Sequence, residues 1–261
     1  MSKLRVATSQ PDEDGCVIRV TPESARWRYV GFEAYRLAPG TRLTRTHEDR
    51  ETCVVLLCGR GDVAAGGCEW RDVGGRATVF DGPPTALYVP PGTEWSVTAA
   101  EALELAVCTA PAARGADLRL LVPAAMRHES RGSGVEAREI DHILMEEAPA
   151  ESLLVTEVVT PAGHWSSYPP HKHDVDDPPR ETYLEETYYH RIRPSNGFAF
   201  QRVYTADGSI DEAIAVRDRD VVLVPRGYHP VAAGVRHDLY YLNVMAGPRR
   251  EWRVTVDPSF A

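Results

Sequence analysis

The chain has 261 residues, enough for one large core or two of about 100 to 150 residues each. Its formal net charge of -9 argues against nucleic acid or an anionic membrane as partner, since both demand a basic face, but leaves room for a small anionic substrate held by local arginines. No run of about 18 apolar residues is present, and the start Met1-Ser2-Lys3-Leu4-Arg5-Val6 lacks the apolar stretch of an export signal, so a cytoplasmic location is expected. Cys16, Cys53, Cys58, Cys68 and Cys108 are odd in number and irregular in spacing, which predicts free thiols, most of them small buried residues.

In chain order, short β-branched or aromatic runs are separated by Gly, Pro, Asp and Asn. They are Cys53 to Cys58, Ala77 to Phe80, Thr85 to Val89, Leu103 to Thr109, Leu153 to Val159, Phe198 to Thr205, Val221 to Val224 and Leu239 to Val244. Helical periodicity is poor, and the 20 prolines and 20 glycines are scattered, so the expectation is an all-β chain of antiparallel strands and turns.

The same order of signals occurs twice. Pro39-Gly40, then His47 and Glu51 on a strand, then Tyr88-Val89-Pro90-Pro91-Gly92-Thr93-Glu94-Trp95, then Leu103 to Val107 make the first copy. Pro161-Ala162-Gly163, then His171 and His173, then Leu223-Val224-Pro225-Arg226-Gly227-Tyr228-His229, then Leu239 to Val244 make the second. Two copies of one β-barrel are expected, over residues 1–125 and 126–261, joined through the polar stretch around Arg127 to Glu136. Only the second holds a full set of metal-ligating side chains. In the first, His47 has no second imidazole, Trp95 or Glu94 stands where a ligand is expected, and His47 with Glu51 reads as a structural pair.

Side chains alternate along a strand, so His171 and His173 share one face while Lys172 takes the other. Glu186 is preferred over its neighbour Glu185 because Glu186, Tyr188 and His190 then share the inward face of one strand, and Glu181 is a third carboxylate in reach. His229 follows a Pro-x-Gly turn. Three imidazoles and one carboxylate suit one divalent ion, with zinc, manganese, iron, nickel and cobalt all compatible.

A His-x-His pair, a Glu, and a strand ending in Pro-x-Gly and a His resemble the cupin pattern, in a bicupin arrangement. The match is closer still for Trp165 to Asp174, Glu185 to Arg191, Gly197 to Thr205 and Asp238 to Pro248, which resemble the 5-deoxy-glucuronate isomerase family of bacterial myo-inositol catabolism. That resemblance implies the aldose to ketose conversion of 5-deoxy-D-glucuronate into 5-dehydro-2-deoxy-D-gluconate, with His171, His173, Glu186 and His229 as ligands. An ion with open positions would act as a Lewis acid on the carbonyl and its neighbouring hydroxyl. Arg226, beside His229, is the expected contact for the substrate carboxylate, with Arg202 and Arg191 behind it. Tyr241, like Tyr188 and Tyr240, is a candidate for the sugar hydroxyls, and His190 for a general base. A homo-oligomer is expected. A metal-dependent cupin dioxygenase and a non-catalytic sugar-binding cupin are the alternative readings.

Overall fold

The computed structural model describes residues 2–260. Its regular elements are almost all strands, and the one α-helix among the described residues is the four-residue turn Pro22–Ala25, capped by Thr21. No helix among them is long and apolar enough to cross a membrane. The chain divides into two compact units, one of residues 9–127 with 143–155, the other of residues 1–8, 128–142 and 156–261.

The first unit has a six-stranded sheet in the order Arg119–Leu121, Thr85–Val89, Arg50–Cys58, Leu103–Pro111, Gly31–Leu37, Cys16–Val20. A four-stranded sheet runs Arg42–Arg45, Trp95–Ala99, Arg60–Ala65, Cys68–Gly74. Between them Val54, Leu56, Leu87, Val89, Trp95, Val97, Leu105 and Val107 form a closed apolar core. The edge strand Cys68–Gly74 is exposed and carries Glu69, Arg71 and Asp72, charges that discourage pairing with another chain.

The second unit repeats this order strand for strand. Val221–Val224, Glu185–Arg193, Asp238–Ala246 and Leu154–Thr160 lie side by side in its large sheet, as Thr85–Val89, Arg50–Cys58, Leu103–Pro111 and Gly31–Leu37 do in the first. Trp165–Ser166, Val231–Ala232, Ala199–Tyr204 and Asp211–Val216 form its four-stranded sheet. Its core mixes aliphatic residues such as Val203, Val222 and Val224 with Tyr188 and Tyr241.

Three local expectations are corrected. Ala77 to Phe80 is a turn, because Asp81 accepts the backbone N–H and hydroxyl of Thr78 at 2.8 and 2.9 Å and so competes with strand pairing. The stretch expected as a linker contains the strand Arg127–Arg131, which extends the large sheet beside Arg138–Leu144. Near the start of the chain, Arg5 and Val6 pair with Val222 and Val221 of the second unit's sheet. His47 and Glu51 do not form a pair. His47 Nδ1 lies 3.0 Å from Thr52 Oγ1, while buried Glu51 accepts from the Tyr88 hydroxyl and the backbone N–H groups of Glu151, Ser152 and Leu153.

Candidate metal centre

The strand His171–Lys172 is only two residues long, paired with Thr255–Val256, so His173 lies just past its end. A reciprocal link replaces the strand there: the Leu184 N–H donates to the His173 carbonyl at 3.0 Å, and His173 Nδ1 lies 3.0 Å from the Leu184 carbonyl. Glu186 sits on the strand Glu185–Arg193, opposite Val224 and one residue before Pro225 of the turn that delivers His229. Gly227 in that turn has φ +90°, and a Cβ there would stand 2.3 Å from the Tyr204 carbonyl oxygen, so only glycine fits.

His173, Glu186 and His229, all buried, bring one ligand atom each within 4.8 Å of one another, the one such group found among the described residues. Glu186 Oε2 is 3.0 Å from His173 Nε2 and 3.2 Å from His229 Nε2. The His171 ring, half-buried, has its centroid 4.9 Å from that of His229 and 6.5 Å from that of His173. All three imidazoles use Nδ1 on a backbone carbonyl, of Pro169, Leu184 and Gly227 respectively. This turns each Nε2 toward the cluster, the arrangement that metal-binding histidines adopt; that of His173 is engaged by Glu186, and that of His229 is bare. Buried His229 Nε2 has no hydrogen-bond partner, and an orphaned acceptor in a nest of nitrogen and carboxylate ligands is what a divalent ion satisfies.

Electrostatics agree with that chemistry. Burial, reinforced by the charge of His173, holds the His171 pKa down to about 3, and burial with its two imidazole neighbours holds His229 well below the ordinary histidine value. Burial acts on His173 in the same sense, but its hydrogen bond to Glu186 and that carboxylate's charge outweigh it and raise the pKa. Two neutral imidazoles beside a carboxylate are ready to bind a cation.

The register explains why the first unit lacks such a group. Glu186 pairs with Val224 before Pro225, and the residue pairing with Val89 before Pro90 is Thr52. Counting from Gly227 and Gly92, His229 corresponds to Glu94, which is exposed.

Of the other expected residues, Tyr241 and Tyr188 lie inside the second unit. Their rings are 4.9 Å apart, and their hydroxyls are 3.4 and 2.9 Å from Ser167 Oγ. His190 is fully buried, with Nε2 on Gln201 Oε1 at 3.0 Å and its pKa pushed down by burial to about 4. It shares the face of Glu186 but stands four residues along the strand, about 13 Å at strand spacing, so it is not brought to the cluster as a base. Arg226 and Arg202 are not brought there either. Arg226 is exposed and donates to Ser209 Oγ at 2.8 Å, and Arg202 is exposed, bound through two nitrogens to Asp211 and stacked on Tyr204. Arg191 pairs with Asp218 at 3.0 Å. Glu181 accepts from Lys172 and from the backbone of Asp174 and Val175, which accounts for its burial without a metal. Arg131 and Arg138, which the pattern of strands and turns did not single out, are the arginines whose charge reaches His171.

Known proteins resemble this chain along its whole length. It is 51% identical over 260 residues to the 5-deoxy-glucuronate isomerase of Geobacillus kaustophilus, covering 99% of this chain and 94% of that one. It is 41% identical over 245 residues to that of Bacillus subtilis strain 168, covering 93% and 90%. The crystal structure of an IolB-like protein from Salmonella typhimurium superposes with a TM-score of 0.97 at 46% identity, covering 100% of this chain and 98% of that one. Bacillus subtilis oxalate decarboxylase shares the fold alone, at a TM-score of 0.67 and 14% identity, with 98% and 80% covered. The architecture is thus all-β and bicupin. A family model matches residues 4–261, and the chain belongs to the KduI/IolB family.

Proposed function

We propose that this chain is an aldose–ketose isomerase that converts 5-deoxy-D-glucuronate into 5-dehydro-2-deoxy-D-gluconate, a step of inositol breakdown. The observation that carries the reading is identity of 51% to a protein of that name over nearly the whole of both chains, joined to the grouping of His173, Glu186 and His229. His171, His173, Glu186 and His229 would hold one divalent ion. When bound, that ion supplies Lewis acidity to the C1 carbonyl and the C2 hydroxyl oxygens.

The reaction moves a hydrogen from C2 to C1 and a proton from the C2 hydroxyl to the former carbonyl oxygen, with no change in composition. Tyr188 is suited to orient those oxygens, its ring lying 5.8 Å from that of His229. Burial, then the Glu186 charge, raises its pKa well above the ordinary phenol value, so it stays protonated and acts as a hydrogen-bond donor. Ser167, within reach of both Tyr188 and Tyr241, holds the two hydroxyls in one place. The buried walls around them exclude bulk water, which strengthens each polar contact with the substrate.

The test is turnover of 5-deoxy-D-glucuronate by purified, metal-replete protein, with the ketose identified by NMR. No ketose from protein carrying its full metal complement would overturn the reading.

A further inference from the structure

Arg138 opens the strand Arg138–Leu144 and is 7% exposed. Its Nη1 donates to the Glu136 carbonyl at 2.9 Å and its Nη2 to the Tyr168 carbonyl at 3.2 Å. A guanidinium has five N–H groups, and the remaining three find no acceptor among the described residues. No carboxylate pairs with it, whereas exposed Arg202 and Arg193 each hold one. Glu136 and Glu129 act on it only from beyond ion-pair distance, and burial outweighs them and depresses the Arg138 pKa, so the cation is under-compensated where it sits. Such a group is retained where an anionic ligand completes it.

Its position relative to the ligand cluster follows from two adjacent carbonyls. Arg138 holds the carbonyl of Tyr168 and His171 holds that of Pro169, the next residue. Because those carbonyls belong to bonded neighbours, the guanidinium lies within about 10 Å of the imidazole. Its charge reaches both His171 and the Tyr241 hydroxyl, and Tyr241 also feels Glu186. An open six-carbon acid whose C1 and C2 oxygens are at the cluster places its carboxylate at this range. Arg131 adds positive field from the neighbouring strand, but Glu129 occupies it through two nitrogens, at 2.7 and 3.0 Å.

We propose that Arg138 is the residue that reads the substrate's carboxylate, with Arg131 reinforcing the field; this rests on the isomerase reading above. Arg138 is therefore the specificity determinant that separates a uronate from a neutral aldose of the same length.

The experiment compares wild-type, Arg138→Gln and Arg138→Lys proteins, all metal-replete, on 5-deoxy-D-glucuronate and on the neutral 5-deoxyhexose that has a hydroxymethyl group in place of the carboxylate. If the neutral sugar turns over too slowly to follow, its inhibition constant is read instead. Arg138→Gln is expected to lower kcat/KM for the uronate by about ten- to a hundredfold, and to leave the neutral sugar within about twofold of wild type. Arg138→Lys, which keeps a point charge but not the fork, should fall between them on the uronate alone. Equal losses on both sugars, or none on the uronate, would overturn the proposal. If the Gln variant does not fold, the Lys variant decides by the same criterion. A wild-type protein inert on the uronate would instead overturn the isomerase reading, and this inference with it.

Discussion

Asp174 holds Gly227: its Oδ2 accepts the glycine N–H at 2.9 Å, and the carbonyl of the same glycine lies 2.9 Å from Nδ1 of His229. The carboxylate is itself clamped by Lys172, which also binds Glu181. Lys172 faces away from the histidines on either side of it, yet through Asp174 it helps set the turn that delivers the third imidazole. Asp174→Ala should therefore lower metal affinity by about 10- to 100-fold with the three histidines intact. Metal titration monitored by mass spectrometry checks this, and an unchanged affinity would show that the turn holds His229 unaided.

Metal content should be about one ion per chain, because one unit carries Glu186 where the other carries Thr52. His173→Ala and His229→Ala should both remove it while circular dichroism stays that of the folded protein, since each unit has its own core. Two tightly held equivalents, or one that survives both substitutions, would refute the assignment.

Arg226→Ala should leave kcat/KM within about twofold of wild type, the usual size for an exposed side chain outside the site. Its guanidinium is engaged by Ser209 and lies 4.0 Å from Asp207. Steady-state kinetics decide this, and a loss of tenfold or more would return Arg226 to the carboxylate.

Glu51→Ala should destabilise the first unit by about 2 to 4 kcal/mol, because it strands buried and part-buried donors that now share one buried carboxylate. The affected groups are the Tyr88 hydroxyl and the N–H groups of Glu151, Ser152 and Leu153. Urea unfolding measures the loss, and a midpoint equal to wild type would contradict it.

His128 bridges Asp141 and Glu139 through its two ring nitrogens, at 2.8 and 2.9 Å. The hydrogen bond to Asp141 is the main reason that its pKa lies above the ordinary 6.5. A raised folded-state pKa means stabilisation that is complete below the unfolded value and lost as pH rises through the folded one. The Tm difference between wild type and His128→Gln should thus be larger near pH 6 than above about pH 8. A difference that is constant across that range would show that the bridge is uncharged.

The sequence by itself determined the strand-rich class, the twofold repeat and the segments from which His173, Glu186 and His229 come together. Strand period 2 is local, so the choice of Glu186 over Glu185 follows from its spacing to Tyr188 and His190. The Pro-x-Gly turn before His229 is equally local, since glycine takes its φ of +90° without the Cβ cost that other residues carry. Tertiary structure decided what depends on groups distant in the chain. Thr52, rather than Glu51, occupies the place of Glu186, because register is set by pairing with Val89 and not by nearness to His47. Arg226 neighbours His229 in sequence, yet its side chain turns to the loop at Asp207 and Ser209, whereas Arg138, more than thirty residues before His171, comes near it through the Tyr168 carbonyl. Proximity along a chain fixes which backbone atoms are close; where a long charged side chain ends is decided by which partners the fold places around it.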